Sequence, residues 1–231
     1  MTATALELIN LSGGYGDVVI VNDVSFSLAA RQVCCVTGRN GVGKTTLMRL
    51  ITGALARRSG RVSLGGRDIT HIAPHRCREL GMTYAPQENG VFDTLSVMEN
   101  LTLHHADRAL DRYAALFELF PRIRERLHQP AGTLSGGERK ILSFCRAMAE
   151  GNRFTVFDEP TEGVQSENID RMANVVQTAK AEGRSFLIVE QNLSFVEQVA
   201  DDVLLLDHGN IVFTSPFGPD TRAQLQQQMA I

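Results

Sequence analysis

The chain has 231 residues, of which 43% are hydrophobic and 21% charged, and its net charge of −3 is spread without a block of like charges. That balance predicts an ordinary soluble globular protein and advertises no basic nucleic-acid surface. No apolar run reaches the ~18 residues of a membrane span, and Met1 to Leu8 lacks the pattern of a signal peptide, so a membrane role requires a partner. Cys34, Cys35, Cys77 and Cys145 follow no zinc spacing and read as reduced, buried thiols of a cytosolic protein.

In chain order, Val24–Leu28, Val33–Thr37 and Arg61–Leu64 are strand-like, the last closed by the turn Gly65-Gly66. From about Leu95 the period becomes helical. Ser96 and Glu99 form a capping box that opens a helix, and a second helix is predicted over Ala109–Phe120, stopped by Pro121. Beyond it, strand-length runs at Phe154–Phe157, Phe186–Val189 and Val203–Leu206 alternate with helices from about Glu167 and from Ser194. Such alternation predicts a parallel sheet with crossover helices. The expected plan is one domain over 1–231. Its α/β core spans about 1–85 and 151–231, and a helical insert spans about 86–150. The tail, Thr221 to Ile231, reads as a short Gln-rich helix.

Three motifs carry chemistry. The first runs Gly38, Arg39, Asn40, Gly41, Val42, Gly43, Lys44, Thr45, and sits between the apolar strand Val33–Val36 and the helical run Thr46–Ile51. Glycines allow successive N–H groups to turn inward around phosphate oxygens, and a helix N-terminus adds favourable dipole. Lys44 is then the cation for the β and γ phosphates, and the Thr45 hydroxyl a Mg²⁺ ligand. The second motif is Asp158-Glu159, at the end of a buried strand. Asp158 suits a hard cation, and Glu159, one residue on, suits the polarisation of a water in line with the γ phosphate. The third is Leu134-Ser135-Gly136-Gly137-Glu138. Ser135 and Glu138 make a capping box, but two glycines inside a helix start cost stability unless a phosphate must approach bare N–H groups.

The third segment, 23 residues before Asp158 and preceded by the phosphate loop, resembles the signature of ABC ATPases over nearly the whole chain. That resemblance implies a P-loop NTPase fold of the ABC ATPase type: a mixed α/β sheet with an antiparallel N-terminal part and a helical insert. It implies ATP and Mg²⁺ as cofactors, Gln87 as a metal-reaching residue that senses the membrane subunit, Tyr15 as the adenine-stacking aromatic, and Thr46 beside the phosphates. It also implies integral membrane permease subunits, a second ATPase subunit, an extracytoplasmic substrate-binding protein and a peripheral place on the cytoplasmic face of the inner membrane. The loop Gln87–Phe92 is expected to receive the permease, with Val91 and Phe92 as its apolar contacts or, equally, as core residues.

Two positions depart from the family pattern: Gln191 stands where most members carry the switch His, and Gln165 where most carry Asp. A Gln at 191 can donate to a phosphate oxygen but cannot titrate near neutral pH; the plain alternative is that it caps the helix near Ser194. Val189-Glu190-Gln191-Asn192 is similar to the ATPases of branched-chain amino-acid uptake and of their urea and short-chain-amide relatives. The phosphate loop, Phe117–Pro121 and Pro160–Gln165 look most like the urea type. A soluble, non-transport ABC ATPase is less favoured, because the chain has no coiled-coil insert and no second cassette. A phosphate-loop kinase fails on the 134–138 segment.

Overall fold

The computed structural model describes residues 3–88 and 90–229. Asn89, within the loop expected to dock a permease, and the last two residues of the tail lie outside them, as do Met1 and the residue after it. In chain order come β1 (Thr4–Tyr15), β2 (Val18–Ala29), β3 (Val33–Thr37), α1 (Lys44–Ile51), β4 (Arg57–Leu64), β5 (Arg67–Asp68), α2 (Pro74–Cys77) and β6 (Met82–Ala85). Then follow α3 (Val97–Thr102), α4 (Ala114–Leu119), α5 (Pro121–Glu125), α6 (Gly136–Ala149), β7 (Phe154–Asp158), α7 (Ser166–Ala181), β8 (Ser185–Val189), α8 (Leu193–Val199), β9 (Asp202–Asp207), β10 (Asn210–Pro216) and α9 (Thr221–Met229).

Two sheets result. One is antiparallel, in the order β2-β1-β4-β5; the other is mixed, in the order β10-β9-β3-β8-β7-β6, with β10 the antiparallel edge. The mixed sheet and the antiparallel N-terminal sheet are those the resemblance implied. The all-apolar runs are explained by burial on both faces. In β3, Val33 and Cys35 enter the core shared with α6, α7 and α8, while Cys34 and Val36 enter the core shared with α1 and the antiparallel sheet. All four cysteines are free and buried, and burial pushes the Cys35 and Cys145 thiols up, away from reactivity.

The helix expected over Ala109–Phe120 is shorter. Asp111–Tyr113 forms a 3₁₀ turn, and only Ala114–Leu119 is α-helical. Burying the Tyr113 ring, whose hydroxyl donates to the Leu101 carbonyl at 2.6 Å, overrides the local helical period. Met82–Ala85 and Asn210–Pro216 are strands that the apolar pattern did not mark.

The strand order brings three loops together. Val36, Val189 and Asp158 lie level across β3, β8 and β7, so the segments that follow them emerge side by side at the C-terminal edge of the sheet, where open α/β folds bind ligands. Gln191 therefore sits between the phosphate loop and the acidic pair.

Candidate functional site

The phosphate loop leaves β3 and enters α1 through Gly43, whose φ of 107° suits glycine and whose place at the helix start carries no side-chain cap. The first N–H groups of α1 are thus left for an anion. Lys44 is buried and donates to the carbonyls of Gly38 and Arg39, both at 2.9 Å, with Glu159 Oε1 3.5 Å away. Burial lowers its pKa, and the neighbouring Glu159 opposes that shift. A cavity of about 250 Å³ adjoins it, lined in part by Tyr15, Asn40, Gly41, Gly43, Thr46 and Gln87. Tyr15, which lines this cavity, is 45% exposed, and its hydroxyl accepts from Arg49 at 2.9 Å.

Thr45 Oγ1 lies 3.3 Å from both Gln87 Oε1 and Asp158 Oδ1. Octahedral Mg²⁺ with bonds of about 2.1 Å has neighbouring ligand oxygens about 3 Å apart, so the Thr45 oxygen stands near the spacing such a shell needs from each of the other two. Burial, as the largest cause, pushes the Asp158 carboxyl up to about 6, against the hydrogen bond from Thr45; a cation there restores the charged form.

Glu159 is the hub. Its backbone has a φ of 49°, in the left-handed region that few non-glycine residues adopt. Oε1 accepts from Gln191 Nε2 at 2.6 Å, and Oε2 from Gln87 Nε2 at 2.8 Å. Gln191 Nε2 also donates to Asn40 Oδ1 at 2.7 Å. The helix cap is Asn192 instead, accepting from Ser194 N and Phe195 N. Two residues that the motifs did not single out complete the cluster. Lys140, on α6, donates to the carbonyls of Gln87 and Glu159 at 3.0 Å and pairs with Glu162 at 3.2 Å. Glu190 is buried behind Gln191. A polar residue one step before the switch position, and a lysine two after the signature Glu, were the available signals.

Not every expected residue joins this cavity. The Arg39 side chain borders a separate space of about 490 Å³ beside Met229, and Val42 packs into the core. The segment Ser135–Glu138 lies elsewhere, on a cavity of about 820 Å³ that Gln165 also lines. There Ser135 and Glu138 form the capping box, and Arg126 pairs with Glu138 at 3.3 Å. A Cβ on Gly137 would meet the Gly163 carbonyl at 2.6 Å, so that glycine is needed for packing within the chain; a Cβ on Gly136 would meet nothing within 4 Å. In the loop beyond Gln87, Val91 packs partly against the core and borders a groove of about 370 Å³ with Gly90 and Lys140, whereas Phe92 is 52% exposed and is not part of that groove's lining.

A phosphate cradle, an oxygen triad beside it and a carboxylate held by two amides define a nucleotide triphosphatase of the phosphate-loop class. The chain belongs to the ABC transporter family, which residues 21–162 match; it is an ATPase coupled to transport and binds adenine nucleotide. It is 33% identical to the probable branched-chain amino acid transport ATP-binding protein LivF of Archaeoglobus fulgidus, over 90% of both chains. It is 30% identical to the high-affinity branched-chain amino acid transport ATP-binding protein BraG of Pseudomonas aeruginosa, over 90% of this chain and 91% of that one. It is also similar to the ADP conformation of an ATP-binding cassette of an ABC transporter, with a TM-score of 0.80 and 25% identity over 99% of this chain and 96% of that one. No helix among the described residues is long and apolar enough to cross a membrane. Both relatives are named for branched-chain amino acids, and neither name supports the expected urea-type cargo.

Proposed function

We propose that this chain hydrolyses ATP to energise a branched-chain amino-acid importer. The observation that carries the catalytic part is the Glu159 carboxylate, held between Gln191 and Gln87 and 3.5 Å from Lys44. Lys44 is the cation for the β and γ phosphates. Thr45, Gln87 and Asp158 hold Mg²⁺, which when bound neutralises phosphate charge. Glu159 polarises the attacking water, oriented by the amides that now hold it. Gln191 is a neutral donor to the γ phosphate, so it positions without titrating. Tyr15 stacks on the adenine.

The signature segment does not border the Lys44 cavity, so each site is completed by Ser135–Gly137 of a second ATPase subunit, identical or paralogous, stacked head to tail. The domain spans 1–231, with a helical subdomain over about 86–150. The groove lined by Gln87, Glu88, Gly90 and Val91 receives the permease on the cytoplasmic face of the inner membrane, and a substrate-binding protein works on the far side. The names of the two relatives support the cargo. Reconstituted with its permease, binding protein and partner ATPase, the chain should drive ATP-dependent uptake of leucine, isoleucine or valine. Uptake of urea instead would overturn that assignment.

A further inference from the structure

Glu190 follows β8 directly and is only 3% exposed. Among the described residues no lysine, arginine or histidine nitrogen pairs with its carboxylate. A buried, unpaired carboxylate is costly unless its lone pairs are filled by donors, and here they are. Oε1 accepts from Thr161 N at 2.9 Å and from Thr161 Oγ1 at 2.5 Å. Oε2 accepts from Gln191 N at 2.8 Å and from Asn192 N at 3.0 Å. Four donors fill the acceptor capacity of a carboxylate, so Glu190 has none left for a metal, a water or a nucleotide.

What these bonds join is specific. One oxygen holds Thr161, two residues beyond Glu159; the other holds the backbone of Gln191, whose side chain donates to Glu159. A non-glycine residue at the φ of Glu159 persists only where its surroundings over-determine it. Here Glu159 N donates to the Val189 carbonyl at 2.9 Å, and Thr161 is fixed by Glu190 on the other side. Glu190 N in turn donates to the Val36 carbonyl at 3.1 Å, which pins the whole arrangement to the strand before the phosphate loop.

We propose that Glu190 is a positioning residue for hydrolysis, whose carboxylate yokes the Gln191 segment to the turn that carries Glu159 and so keeps the two aligned. This rests on the roles proposed above for Gln191 and Glu159. A glutamine at 190 has the same shape but one acceptor oxygen and one NH₂, so it cannot accept from both segments at once. The nucleotide itself never touches residue 190, so binding should survive while alignment fails.

The test uses Glu190→Gln in the full chain with its partner subunit. Turnover should fall about tenfold or more, with the KM and Kd for ATP within about twofold of the parent. In the nucleotide-free chain, the Thr161, Gln191 and Asn192 amides should exchange hydrogen faster than in the parent. In a Gln191→Ala background, Glu190→Gln should slow turnover by no more than about twofold further, because it acts through the missing side chain. Should Glu190→Gln fail to fold, Thr161→Val removes one of the four donors and should show the same loss in kcat alone. Parental turnover in whichever variant folds, losses that multiply in the double variant, or a rise in KM at constant kcat would overturn the proposal. A slow Gln191→Ala beside a fast Glu190→Gln would overturn this proposal alone. Parental turnover in Gln191→Ala by itself would overturn the role of Gln191 and this proposal together.

Discussion

The two glycine-bearing helix starts of this protein differ in how far each is finished by its own chain. At the phosphate loop, Lys44, Thr45, Gln87, Glu159 and Gln191 are tied to one another by hydrogen bonds or ion pairing at 2.6–3.5 Å. At the signature, the capping box satisfies Ser135 and Glu138, and Gly136 faces open space beside a cavity of about 820 Å³. One region is joined up by its own chain; the other is a capped helix start whose Gly137 packs on Gly163 but whose Gly136 meets nothing of its own chain. The difference teaches that a motif can be complete in sequence and still be half of a site in space.

The strongest way to break this contrast is Lys44→Ala. Losing a charge-assisted contact to phosphate should weaken ATP binding by about 3 kcal/mol or more, a hundredfold or greater rise in Kd measured by titration calorimetry. Next is a pair of substitutions. Gly137→Ala clashes with the Gly163 carbonyl and should destabilise the isolated chain, whereas Gly136→Ala should leave its melting temperature unchanged and still slow turnover about tenfold or more with the partner subunit present. Parental turnover in Gly136→Ala would mean that no second subunit approaches there.

A third prediction sharpens the wired half. The folded pKa of Asp158, about 6, lies above its ordinary 3.8, so between those values the folded state binds the extra proton. The contribution of Asp158 to the stability of the nucleotide-free, metal-free chain should therefore fall as pH rises from about 4 to about 6, and stay low above it, by up to about 3 kcal/mol. Asp158→Asn should flatten that slope in denaturant titrations. The smallest effect is expected at the cavity mouth: Tyr15→Ala should weaken ATP binding by about 1 kcal/mol, roughly fivefold, with little change in kcat.

Part of the wired half was legible because Gly38–Thr45 and Asp158-Glu159 are each compact motifs whose internal spacing mirrors the chemistry, whereas Gln87 and Gln191, distant in sequence, came from the family resemblance. Gly38–Thr45 and Asp158-Glu159 each follow an apolar strand, and the strand ends put them together. Glu190 and Lys140 were not legible. Each looks like a solvated polar residue at a strand end or on a helix, and its contacts appear only when β8 is laid between β3 and β7 and α6 over the Asp158-Glu159 turn. Gly137 carried a double meaning: its pattern suggested phosphate approach, and its packing against Gly163 supplies a reason within the chain. The helix is shorter than the Ala109–Phe120 pattern predicts, because periodicity does not register the pull of a buried ring such as Tyr113.

The claim that a second subunit completes the site is tested most directly with Glu159→Gln, which should bind ATP without splitting it. Measured by gel filtration with light scattering, this variant, alone or mixed with its partner ATPase subunit, should run as a dimer in MgATP and as a monomer in MgADP. A monomer at saturating MgATP with either partner, or turnover at the parental rate, would contradict the account.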